Sequence, residues 1–208
     1  MTSTTPPLPD APPRPGRALA VTALVVGAAA AITCVSPSTT SWLVPAAFVW
    51  IPCLLAAAGR TSPERLGLDR PSPSRDGPAL AAGLGMVALY ASVMALLRGT
   101  PSSWDGAGLP LALTLQVLTV GLPEELFFRG YLQGELQAVA SPRAWWPALV
   151  AAIVFGLAHV AVGRGPAAVV TALPGFLFGL LRRRTGTIWV PVLVHGAANT
   201  VHRILPLL

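Results

Sequence analysis

The chain has 208 residues, 53% of them hydrophobic and only 11% charged, with a mean hydropathy of +0.65. A water-soluble domain carries roughly 25% charged residues, so too little polar surface remains to cover a soluble globule, and the class implied is integral membrane protein. The net charge of +6 comes from arginine alone, since the chain has no lysine. The arginines lie mostly between apolar runs, with no basic stripe interleaved with aromatics. That pattern argues against nucleic-acid binding and for control of membrane topology.

In chain order, residues 1–16 are proline-rich, show no apolar periodicity, and read as a disordered tail ahead of a membrane domain over 17–208. The run after Arg17, "ALAVTALVVGAAAAITCVS", lacks a small-residue cleavage pattern and is followed at once by further apolar runs. It reads as an uncleaved first span. A spanning helix needs about 20 largely apolar residues. On that rule the spans are about 17–36, 42–59, 78–98, 109–138, 145–163, 166–182 and 187–207. The expected fold is all-α, a polytopic transmembrane helix bundle of about seven spans, or eight if the fourth is two pieces. The fourth is too long and too polar for one straight span. It either runs on into an interfacial helix or breaks near Gly121-Leu122-Pro123.

The segment 60–77, with proline, serine and mixed charge, reads as a solvated loop. Cys34 and Cys53 lie in apolar runs without metal-type spacing and read as small buried hydrophobes. With the N-terminus inside, ten arginines (Arg14, Arg17, Arg60, Arg65, Arg70, Arg75, Arg143 and Arg182 to Arg184) face the inner side. Three (Arg98, Arg164 and Arg203) face the outer, which favours a cytoplasmic N-terminus. The Arg182-Arg183-Arg184 run is most simply a topology anchor, although anionic lipid head groups would suit it. Trp145, Trp146 and Trp189 sit at span ends, where indole belts form.

A charge at a helix centre costs about 2.5–3.5 kcal/mol on insertion. The first three spans carry none in their interiors. The polar load falls on three later spans, as Glu124, Glu125 and Arg129, then His159, then His195, Asn199 and His202. Facing lipid, each group would be unsatisfied, so three such helices imply a shared interior cavity. Glu125 and Arg129 are four apart, share a face and can pair. Glu124, rotated by about 100°, is left free to face the cavity. Burial and a nearby imidazole are the levers that make such a carboxylate a general base. His195 and Asn199 also share a face. His202, near the span end, reads as water-facing and outside the site.

These residues resemble the motifs of the CAAX-processing and bacteriocin-immunity (CPBP) family of intramembrane proteases, the glutamic-type endopeptidases. The first motif, two glutamates, three residues, then arginine, matches Glu124, Glu125 and Arg129, with Phe128 and Gly130. The second matches Phe155 and His159, a looser glycine-bearing span resembles "PGFLFGLLRRRTGTIWVPVLVHG", and the last matches His195 and Asn199. The resemblance covers about residues 108–208, the expected catalytic core. It implies that Glu124 and His159 activate a water, that His195 and Asn199 stabilise the oxyanion, and that Glu125 and Arg129 support them.

A zinc site on the same Glu and His residues is the alternative, but no HExxH helix is present, so no cofactor is expected. The substrate implied is a membrane-anchored protein or peptide in the lipid bilayer. Arginine and alanine richness points to a bacterial cytoplasmic membrane as the location. The competing readings are a non-enzymatic immunity or partner-binding protein and a proton-coupled transporter. The transporter would favour an inverted repeat, and none is found.

Overall fold

The computed structural model describes residues 12–99 and 108–205. The expected tail falls mostly on residues 1–11, outside the described residues. The first helix, α1 (Pro15–Val35), starts where a proline can sit without losing a hydrogen bond. It is followed by α2 (Pro37–Ala57), the single-turn α3 (Pro63–Leu66) and α4 (Pro73–Arg98). Then come α5 (Leu109–Gln137), α6 (Trp146–His159, continued by a π-helical turn to Arg164), α7 (Ala172–Thr185) and α8 (Trp189–Ile204). The described residues are all-α, as the composition predicts.

Among the described residues, five helices are long and apolar enough to cross a membrane, namely α1, α2, α4, α5 and α6 with its extension. The last two of the seven expected spans correspond to shorter helices. Helix α7 has 14 residues and α8 has 16, or roughly 21 and 24 Å against a hydrocarbon core of about 30 Å. The reason lies at their ends. Gly163 and Gly165, both at φ +81°, turn the chain after α6. The 3-10 segment Pro166–Thr171 then uses the residues expected to begin the next span. At its far end α7 spends its last turn on Arg182, Arg183 and Arg184 before Gly186 stops it at φ +74°.

Helix α5 does not break at Gly121-Leu122-Pro123. Proline lacks the N–H of a helical bond and crowds the carbonyl four residues back. A π-helical turn, Val117–Gly121, precedes it and absorbs that misfit, with the Leu122 N–H donating to the Val117 carbonyl five residues earlier. A second π-helical turn covers Leu126–Leu132. The rod is therefore continuous through the middle of the bundle, packed on α1, α2, α3, α6, α7 and α8, while α4 packs on α7 and α8. From Glu125 to Leu136 every residue is buried. A helix buried all round needs an internal partner for each polar group. Apolar packing there is dominated by aromatics: Phe48 stacks on Phe127 at 4.6 Å, and Phe128 meets Phe127 and Phe155 edge-on at 5.2 and 5.1 Å.

The segment 60–77 is solvated over much of its length, as its composition suggests, but its first part is packed into the bundle. Leu66 and Thr61 are buried, and α3 lies against α5. Gly134 of α5 makes this possible, because a Cβ there would collide with the Arg65 carbonyl. Glu135, fully buried, then clamps the segment. It accepts hydrogen bonds from the Arg14 backbone N–H (2.8 Å), the Thr61 hydroxyl (3.0 Å) and the Arg65 guanidinium (3.2 Å). One carboxylate thus joins the start of α1, the loop after α2 and the end of α5.

Removing that acceptor leaves several donors with less than they need. Glu135→Leu is expected to cost roughly 3 kcal/mol of stability, read as a lowered midpoint in denaturant titration of the detergent-solubilised protein. An unchanged midpoint would show that the loop is not held by this carboxylate.

Candidate active site

The site forms where α5 crosses α8, and two glycines set how near they come. A Cβ on Gly121 would lie 2.9 Å from the Val192 carbonyl, and one on Gly196 would run into Val117, both its side chain and its backbone. With only hydrogen at these positions the two backbones touch, a common mode of helix association in membranes. Glu124 and Glu125, one turn along α5, are thereby brought up to His195, the neighbour of Gly196.

Glu125 has no exposed surface, and neither does Arg129. As the spacing predicts they pair within α5, Arg129 Nη1 lying 3.1 Å from Glu125 Oε1. That same oxygen also accepts the Nδ1–H of His195, at 2.8 Å. The guanidinium is held further by donating Nη2–H to the Gly175 carbonyl of α7 at 2.9 Å, and by the faces of Phe155 and Phe178, whose centroids are 4.3 and 5.6 Å away. Breaking such a buried pair strands a charge without water, at a cost of about 3–5 kcal/mol.

His195 is oriented on two sides. Its Nδ1–H is committed to Glu125, so Nε2 is left facing Glu124, whose Oε2 is 3.7 Å away. Phe178 of α7 stacks on the imidazole with centroids 4.8 Å apart and planes 23° apart. Glu124 differs from its neighbour. Its side chain is 16% exposed, and its buried Oε2 has no hydrogen-bond partner among the described residues.

His159, at the last turn of α6, donates Nδ1–H to the Phe155 carbonyl one turn back at 3.0 Å and packs against the Phe155 ring at 4.4 Å. This fixes the tautomer and leaves Nε2 with its lone pair open. The Glu124 carboxylate lies within electrostatic reach of it. Asn199 stands one turn beyond His195 on α8, half-buried. His202 is exposed and hydrogen-bonds the Tyr90 hydroxyl at 3.2 Å, as its place near the helix end suggests.

The residues singled out by sequence thus come from three helices, α5, α6 and α8, with Glu124, Glu125 and His195 in direct register. Two features were not foreseen. Glu125 touches an imidazole as well as Arg129, which i, i+4 geometry within one helix cannot reveal. Phe178 and the Gly175 carbonyl make α7 part of the support. The only sequence signal for α7 is the glycine- and phenylalanine-rich "PGFLFG", which reads equally well as packing.

Glu125→Gln tests the link between the two. The amide keeps the shape but loses the charge facing both Arg129 and His195, so a fall of about 10–100-fold in turnover is expected. Gly196→Val, which wedges α5 from α8, is expected to lose activity with a lowered unfolding midpoint. Full activity in either variant would contradict the arrangement.

Residues 106–201 match the family model described as type II CAAX prenyl endopeptidase Rce1-like. The searches of curated proteins and of solved structures returned no match. The matched stretch contains every residue of the two-glutamate, Phe155–His159 and His195–Asn199 motifs. It is the part of the chain in which α5, α6, α7 and α8 assemble the polar centre. The second half of this membrane protein is therefore similar to the Rce1-like domain of the CAAX-protease family.

Proposed function

We propose that the protein is an intramembrane endopeptidase that hydrolyses a peptide bond in a membrane-associated protein or peptide. The observation that carries this reading is the Glu124 carboxylate. It is mostly buried, has no hydrogen-bond partner at Oε2, and lies 3.7 Å from Nε2 of His195 and within electrostatic reach of His159, two imidazoles whose Nδ1 atoms are already committed. Such a pair of acceptors, Glu124 Oε2 and His159 Nε2, suits a water that donates one O–H to each. One proton passes to this pair as the water oxygen attacks the carbonyl carbon. The same proton then goes to the departing amine as the C–N bond breaks.

The oxyanion formed in between needs donors, and His195 and Asn199 share the face that would supply them. With Nδ1–H held by Glu125, His195 can donate from Nε2 only as the imidazolium. That cation would sit between carboxylates at 2.8 and 3.7 Å. In this scheme Glu125 and Arg129 do not touch substrate; they position His195. No metal takes part.

The arginine distribution supports a cytoplasmic N-terminus. Hydrogen bonds link Arg17 to Arg60, Arg182 to Arg65 and Arg183 to Arg143, so these residues share one end of the bundle. We assign the protein to a bacterial cytoplasmic membrane on the arginine-only, alanine-rich composition. In that setting the substrate is a peptide precursor or membrane-anchored protein, with no prenyl group required.

Glu124→Gln and His159→Ala are each expected to lower cleavage of a candidate membrane substrate by about 10²–10⁴-fold, and Asn199→Ala by about 10²–10³-fold. Unchanged processing in both of the first two variants would end the protease reading. Treatment of the purified protein with a chelator is expected to leave cleavage intact. Complete loss restored by zinc would replace the scheme with a metal-dependent one.

A further inference from the structure

At the arginine-rich end, away from Glu124, a cavity of about 400 Å³ opens between the C-terminal turns of α5 and α7. Its lining includes Gln133 and Gln137 of α5 and Arg182 and Arg183 of α7, and Arg129 reaches it from within the bundle. Gln133 and Arg129 are fully buried and form its deep part, while Arg183 is exposed at its mouth. The polar groups there are half satisfied. Arg182 gives one N–H to the Arg65 carbonyl at 3.1 Å and Arg183 one to the Arg143 carbonyl at 2.7 Å. The buried Nε of Arg182 has no partner among the described residues. The amide groups of Gln133 and Gln137 donate to the Gly179 and Ser141 carbonyls, both at 2.9 Å, which leaves each buried Oε1 without a donor.

We propose that this cavity binds the headgroup of an anionic phospholipid. A phosphodiester supplies acceptors for the free guanidinium N–H groups of Arg182 and Arg183. Hydroxyl groups on the headgroup would donate to Gln133 and Gln137. The setting favours a lipid over a soluble ligand. The cavity lies where arginines gather, and Trp145 and Trp146, at the start of α6 three and four residues past the lining residue Pro142, are exposed as membrane-interface indoles are. A juxtamembrane arginine gains about 1 kcal/mol from anionic lipid, close to fivefold in affinity. This site stands apart from the catalytic proposal and survives its failure.

The test uses the full-length protein in phosphatidylcholine nanodiscs with and without phosphatidylglycerol, with native mass spectrometry of retained lipid and tryptophan-monitored unfolding as readouts. Phosphatidylglycerol is expected to be retained in preference to phosphatidylcholine and to raise the unfolding midpoint saturably. Arg183→Gln, at an exposed position that should fold, is expected to weaken retention about fivefold, and adding Gln137→Leu to weaken it further. Arg184→Gln removes the same charge from the same end but lies outside the lining, and is expected to leave retention unchanged. Three results would overturn the proposal. They are equal retention of the two lipids, equal losses in Arg183→Gln and Arg184→Gln (a diffuse field), or a midpoint raised as far by inorganic phosphate as by the lipid (a free-anion site).

Discussion

Glu125 Oε1 is the point on which the polar centre of the bundle depends. It is fully buried, yet it is shared by Arg129 of its own helix and His195 of α8. An isolated charge in a hydrocarbon interior is costly, so Glu125 and Arg129 each depend on the other being in place. Arg129 completes the set by binding the Gly175 carbonyl and lying against Phe155 and Phe178. One cluster therefore ties α5, α6, α7 and α8 together at fixed distances. Glu124, next along the chain, inherits its position from that cluster while keeping its own Oε2 unengaged.

This division of labour explains why two adjacent glutamates are useful. One is immobilised by charge, and the other is left poor in partners. A residue can be held poised in a low-dielectric site only if its surroundings cannot relax onto it. Here the nearest competitor, His195, is already tethered through Nδ1 and stacked by Phe178. The π-helical turns on either side of Glu124 and Glu125 belong to the same picture, since such turns are frequent where a helix carries function.

The far end of α5 repeats the device for a structural purpose. Glu135 gathers three donors from the N-terminal segment and the loop after α2. Between the two carboxylate clusters α5 is buried without interruption. That stretch of α5 is one continuous helical rod joining the two clusters. The half-satisfied cavity beside Gln133 and Gln137 lies on that rod.

Much of this was legible before any coordinates. Low charge content and long apolar runs required a membrane bundle. The i, i+4 spacing predicted the Glu125–Arg129 pair, and the confinement of polar residues to three late spans required their convergence. These inferences hold because they depend on composition and on contacts within one helix, where chain geometry alone sets which residues meet. What the tertiary structure decided lies between helices. It made Glu125 a partner of His195, placed Phe178 on the imidazole, folded Leu66 and Thr61 of a polar-looking loop into the core, carried α5 through Pro123 on a π-helical turn, and left α7 and α8 shorter than full spans. Each depends on how closely two backbones approach, which the hydrogen atoms of Gly121, Gly134 and Gly196 permit but no local pattern of residues encodes.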